Sequence, residues 1–240
     1  MRAPHARLLT AALALSLGVV GCAVGAPPDD HILPVDQYTS QKARTLAEKY
    51  APALRDLNAG IHHCLPWLDV SKESIGFFRP KYLAQSQDDR YLSLRIFVAQ
   101  DSSAQFAALG LEGRASAMFS RYVGAMLRRM TERPGLVTDS LVDGFSVIVS
   151  WLKPTSDAGT QPVHETIAVF ADRPTVAAYV AGRVSIGALA ERATVFGYDG
   201  KTPLGRLRIQ ATEDDFLRTF RSADAGPSTD AQPGSGVTCR

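Results

Sequence analysis

The sequence predicts an α+β fold, an antiparallel sheet with helices packed on one face, formed by residues 37–221 of the 240-residue chain. Three observations lead there. Two stretches repeat apolar residues at helical spacing, several runs are rich in β-branched and aromatic residues, and an Asp-Gly dipeptide joins the last two of those runs. No Pro/Gly/Ser-rich linker interrupts the block, so it reads as one domain with one core.

From the N-terminal side, Ala43, Leu46, Ala47, Tyr50, Leu54, Leu57 and Ile61 recur at helical spacing. Pro52 interrupts them, which predicts either one kinked helix or two short ones. Residues 67–82 read as irregular, punctuated by Pro66 and Pro80. Tyr91 to Ala99 reads as a strand. Residues 101–109 predict a helical turn. The strongest helix follows over 112–132, with Met118, Phe119, Tyr122, Val123, Met126, Leu127 and Met130 as its apolar face, and Pro134-Gly135 stops it. Phe145 to Leu152 and Thr166 to Phe170 are β-rich, and 175–192 predicts one or two short helices. A hairpin closes the block, with 193–198 and 202–211 flanking Asp199-Gly200, a dipeptide that favours a two-residue type I′ turn. Leu207, Ile209 and Ala211 alternate with Arg206, Arg208 and Gln210, as in a sheet wet on one face. A last short helix is expected over 214–221. Without its leading helices the order is β-α-β-β-α-β with an added C-terminal hairpin strand, the split βαβ order of ferredoxin-like folds.

The ends of the chain carry an address. Arg2 and Arg7 precede an uncharged apolar run from Leu8 to Val20, too short to span a bilayer stably. That is the make-up of a secretory signal peptide over residues 1–21, which is excluded from the fold. Val19-Val20-Gly21-Cys22 resembles the lipobox of bacterial lipoproteins. The resemblance covers only these first 22 residues. It implies a diacylglycerol thioether on Cys22, cleavage before it, and residues 22–36 as a tether. It implies membrane lipid as a partner through the acyl chains. Ala23, rather than Asp, follows the cysteine, which in the resembling Gram-negative lipoproteins favours the outer membrane, facing the periplasm. Ordinary signal cleavage after Ala26 is the alternative, and Pro27 would then follow the scissile bond. Two or more acyl chains anchor stably, whereas one does so only marginally. Residues 222–240 are dominated by small and polar types that cannot offset their ordering entropy, and read as a disordered tail.

Charge and cysteine count fit that address. Removing Arg2 and Arg7 from the 26 basic residues leaves 24, equal to the 24 acidic ones. A neutral domain lacks the long-range field that nucleic-acid binding needs, so no nucleic acid is expected as partner. Three cysteines are odd for an exported protein. Lipidation of Cys22 leaves Cys64 and Cys239 free to pair in an oxidising compartment.

Catalytic patterns are hard to find. His31, His62, His63 and His164 fall in no HExxH, and no Cys-x-x-Cys accompanies them. His62-His63-Cys64 is a cluster with soft-ligand character, but adjacent side chains point apart and suit a helix end better than one ion. Neither a Gly-x-Ser-x-Gly elbow nor a phosphate loop is present, so no catalytic residue, metal or cofactor is assigned. Arg114, Arg121 and Arg128 recur every seven residues and read as a solvated helix face, or as a contact for anionic headgroups. Trp67, Phe77, Phe78, Arg79 and Tyr82 have the composition of a partner-binding patch, or of a cap on the open edge of the core.

These absences favour a membrane-anchored lipoprotein of the cell envelope with a non-catalytic binding or scaffolding role, with another envelope protein as a candidate partner. An envelope enzyme of hydrolase type requires a pocket that gathers His62, His63 or His164 with a carboxylate. A small-ligand carrier or sensor requires a cavity against the sheet.

Overall fold

The computed structural model describes residues 27–83, 87–98, 104–153 and 163–213. Cys22 with its signal segment, Cys239, the helix expected over 214–221 and the tail 222–240 lie outside the described residues. Within them the chain forms a mixed, largely antiparallel sheet of seven strands, with the helices on one face. The strands are β1 (Leu68–Val70), β2 (Gly76–Phe78), β3 (Tyr91–Val98), β4 (Gly144–Leu152), β5 (His164–Asp172), β6 (Thr194–Asp199) and β7 (Thr202–Arg206). The helices are α1 (Gln41–Lys49), α2 (Ala51–Cys64), α3 (Ala104–Ala108), α4 (Leu111–Met118), α5 (Gly124–Met130), α6 (Gly135–Thr138), α7 (Arg173–Val180) and α8 (Ile186–Arg192).

The α+β class holds, but the strand order corrects the ferredoxin-like topology. β3 to β7 lie side by side in sequence order, and β1 and β2 share the outer edge of β3. β3 and β4 are direct, parallel neighbours across the α3–α6 crossover. A split βαβ unit would have placed another strand between them. β5 and β6 are antiparallel neighbours, because α7 and α8 carry the chain out and back to the same end of the sheet. Element order alone does not distinguish the two topologies, since both use the same succession of strands and helices.

Alternation along the strands decides which face is dry. Leu92, Leu94, Ile96 and Val98 of β3 stand in register with Phe145, Val147, Val149 and Trp151 of β4, and all are buried. Onto them packs one long helical run, in which a π turn (Phe119–Val123) joins α4 to α5. Met118, Phe119, Tyr122, Val123, Met126, Leu127 and Met130 are all buried here, each contributing about 1.5–3 kcal/mol relative to exposure. Gly124 lets α7 approach, since a Cβ there would collide with the Tyr179 hydroxyl. Pro52 sits in the first turn of α2, so the leading pattern is two helices rather than one kinked helix.

The arginines do not form one solvated face: Arg128 is exposed, whereas Arg114 is largely covered. Arg114 reaches the sheet, where its Nε and Nη2 donate to the Glu165 carboxylate at 2.7 and 2.5 Å. Trp151 Nε1 donates to the same carboxylate at 2.9 Å, and the Glu165 side chain is only 2% exposed. Arg128 lies over the Tyr179 ring and Arg121 over Phe106. One extra residue in the π turn advances the helix by about 100°, so the heptad spacing does not trace a single stripe.

Several edges differ from the sequence reading. The irregular 67–82 segment contains β1 and β2, three residues each and too short for alternation to announce them. The hairpin turn is Gly200-Lys201, because Asp199 already pairs with Thr202. Gly200 has φ +58° and Lys201 has no positive φ, so the glycine-first II′ pattern replaces type I′. β7 ends at Arg206, and residues 207–213 leave the sheet to cross α4. Gln210 N donates to Ser116 Oγ and Thr212 N to Ser120 Oγ, both at 3.0 Å. Leu207, Ile209 and Ala211 still pack on the core, and Leu207 covers Gly197 of β6. At the other end the chain docks from Pro28, not from residue 37. Asn58 is 2% exposed; its amide donates to Pro28 O at 2.8 Å and its oxygen lies 2.9 Å from His31 Nδ1. The expected 22–36 tether is therefore docked over most of its length.

Two predictions follow from this packing. Glu165→Gln leaves the Arg114 charge facing a neutral amide and should destabilise the fold by about 3–5 kcal/mol in urea unfolding. Adding Arg114→Met should restore much of that loss; if the double variant is no more stable than the single, the buried charge is not its cause. Asp139 supplies a pH term. Burial works against its charge, but hydrogen bonds from Lys49, the Leu141 amide and Tyr50 hold its pKa below the ordinary carboxylate value. A depressed folded pKa stabilises above the unfolded pKa and is lost as pH falls through the folded one. Asp139→Asn should therefore lower the melting temperature at neutral pH and flatten its decline below about pH 4.

Candidate functional site

The face of the sheet away from the helices forms a groove of about 750 Å³. Its shape follows from residue size along cross-strand rows. In one row Ser93, Ser146 and Phe170 are in register; in the next, Arg95, Ile148, Ala168 and Phe196; in the third, Phe97, Ser150, Thr166 and Tyr198. Ser93, Ser146, Ala168, Ser150 and Thr166 are small and stand among Ile148 and the rings of Phe97, Phe170, Phe196 and Tyr198, so the small positions are sunken. Ser93, Ser146, Ser150, Thr166 and Ala168 are buried although they face outward. Ser150 Oγ and Thr166 Oγ1 are 2.9 Å apart and satisfy one another.

The β2–β3 connection closes one end. It brings Tyr82 onto Phe170 and Phe196, with ring centroids 5.0 and 5.3 Å away. Tyr91, at the start of β3, lies against Phe170 at 6.3 Å and over Gly144, where any Cβ would strike its ring. Burial raises the Tyr91 phenol well above its usual range, reinforced by neighbouring Tyr82. Burial likewise raises Tyr82, with bonds to Tyr91 and Thr194 opposing it. Both phenols therefore stay neutral at physiological pH and act as hydrogen-bonding groups.

Among the described residues the charged lining comes from the β1–β2 turn, the β2–β3 connection and β3. Lys72, Arg79, Lys81 and Arg95 stand against a single carboxylate, Glu73, while β4, β5 and β6 contribute none. Asp30 holds Lys72 at 2.8 Å, which lowers the Asp30 pKa and raises that of Lys72. Gln37 Nε2 donates to Glu73 at 3.1 Å. The docked N-terminal stretch thus braces this rim.

The structure divides the aromatic patch singled out in the sequence. Phe78, Arg79 and Tyr82 line the groove. Phe77 points through β2 to the helix side, 1% exposed and packed on Tyr50, and Trp67 lies against Tyr122. Neighbouring residues on a strand face opposite ways, which composition does not resolve. Tyr91, Arg95, Phe170, Phe196 and Tyr198 were missed. Their signal was the small and polar alternate positions of β3, β4 and β5, which mark a second face that is not core.

The histidines do not converge. His62 and His63 stack edge-on at the end of α2, and His164 lies edge-on to Phe97 at 4.7 Å. Among the described residues no histidine or cysteine lines the groove, and no group of three His, Cys, Asp or Glu could hold a metal ion. Cys64, near the end of α2 and 8% exposed, is disulfide-bonded, and the other cysteine of that bond lies outside the described residues. The groove can thus offer ring faces, hydroxyls and cations to a ligand. No known family model, curated protein or solved structure matches the chain.

Proposed function

We propose that this chain is an exported lipoprotein, held at an envelope membrane through Cys22, whose domain is a non-catalytic module binding a small ligand on the open face of its sheet. The observation that carries this reading is the groove itself, in which small hydroxyl and alanine side chains lie sheltered among Ile148 and aromatic rings. A sheet face with nothing to hold would be expected to carry solvated side chains at those central positions, not sheltered small ones. Its volume lies in the range of small-molecule sites, about 300–1,000 Å³.

The carrier or sensor reading is favoured over the enzyme. A hydrolase with a side-chain nucleophile needs a base beside it. Among the described residues no histidine lines the groove, and the carboxylate that does, Glu73, is on the rim and held by Gln37. Anchorage through Cys22 rests on the lipobox resemblance and on the cysteine count.

Ala168 is the place to test ligand binding, because its side chain faces the groove between Ile148 and Phe196 and is not part of the core under the helices. A neutral solvatochromic naphthylamine should brighten on addition to the wild-type mature chain. It should brighten far less with Ala168→Trp at an unchanged melting temperature. Absence of probe binding to the wild type would remove the reading. Anchorage has its own test in a non-reducing peptide map with palmitate labelling. The expected result is label on Cys22 and a Cys64–Cys239 link; a Cys22–Cys64 link would overturn lipidation, since one sulfur cannot form both bonds.

A further inference from the structure

We infer that the ligand of this groove is a lipid with an anionic head, taken from the membrane to which the chain is tethered, with the head at Arg95 and Lys81 and the apolar part over Ala168, Ile148 and the β5–β6 rings. The inference rests on the groove reading above and adds the class of ligand.

Charge placement is the first support. All the lining cations sit on one set of connected segments, and the strands beyond present only uncharged groups. A ligand that matches both parts must itself be divided, acidic at one end and apolar at the other. A soluble anion would leave Phe170 and Phe196 unused, and a neutral apolar ligand would desolvate Arg95 without a counter-charge. Guanidinium and ammonium donors suit phosphate or carboxylate oxygens, and charge-assisted bonds of that kind are about twice as strong as neutral ones.

Reach is the second support. The chain is docked from Pro28, two residues before Asp30, whose carboxylate holds Lys72 on the groove rim. Five residues lie between Cys22 and Pro28, and the six steps span at most about 20 Å when fully extended. An acylated Cys22 would therefore keep Pro28 within that distance of the headgroup layer, and Asp30, two residues on, holds Lys72 of the basic rim.

The test uses the mature chain carrying Cys22→Ser, so that acyl chains of its own do not compete. The chain is mixed with sedimentable phosphatidylcholine vesicles containing labelled phosphatidylglycerol, and lipid remaining with the protein after pelleting is counted. The expected result is uptake of phosphatidylglycerol in preference to labelled phosphatidylcholine by about tenfold, the factor that a difference near 1.4 kcal/mol gives. Arg95→Glu and, separately, Lys81→Glu should each reduce uptake with melting temperatures unchanged, and Ala168→Trp should abolish it. Inorganic phosphate at millimolar concentration should not compete; full competition would mean that the site is for a free anion and would overturn the inference. Equal uptake of both lipids, or uptake indifferent to the charge variants, would also overturn it. If the naphthylamine binds and phosphatidylglycerol does not, the groove reading survives and only the ligand class fails. If neither binds, both fail.

Discussion

The carboxylate of Glu165 is the point on which the two faces of this molecule depend. It sits on the helix side of β5, almost wholly buried, and three donors from Arg114 and Trp151 satisfy it. A charge so placed admits few arrangements. The helix carrying Arg114 must lie over β4 and β5, and Trp151 must stand beside Glu165 on β4, where the register puts it. The pair adds little net stability over a well-packed apolar alternative, but it heavily penalises any packing that separates its members. With the helices fixed to that face, the other face of the same strands is left to solvent.

What that second face becomes is set by side-chain size. β3, β4 and β5 are central strands, so both of their faces are laid out by alternation. On the dry side the alternation supplies Leu, Val, Ile and Phe; on the other it supplies Ser, Thr and Ala between rings. A sheet lined uniformly with long polar chains would be flat and wet. Here small positions lie sunken among the rings, while the β2–β3 connection closes one margin and the docked N-terminal stretch braces the β1–β2 turn at another. The hydrophobic contacts of Tyr82 with Phe170 and Phe196 fix that connection on the groove.

Much of the fold was readable in the sequence, and what was not has physical causes. The long strands and the long helix have enough periods for alternation or helical spacing to stand out. β1 and β2 have three residues each, and no period can be read from so few. Strand order was misread because sequence order does not determine which strands are neighbours; that is decided by where the crossover helices pack. Arg114 looked like a surface residue because its spacing matched Arg121 and Arg128, and a π turn leaves no trace in composition. Glu165 offered no sign of burial, since its partner lies 51 residues away. For the groove, Phe78, Arg79 and Tyr82 were visible as a local cluster. The residues of β3, β5 and β6 were not, because only the sheet brings them together.

The segment 207–213 has a consequence for the order in which the molecule can be completed. Its backbone amides bond to Ser116 and Ser120 across 94 and 92 residues of intervening chain, and Leu207 fills the space that Gly197 leaves open. Contacts so distant in sequence form late and slowly. Until that stretch is in place, the side of α4 at Ser116 and Ser120 and the cleft beside Gly197 have no cover, so the sheet and its helices are left with one flank bare. A domain whose earlier elements are already formed is thus closed by a segment from near its C-terminal end.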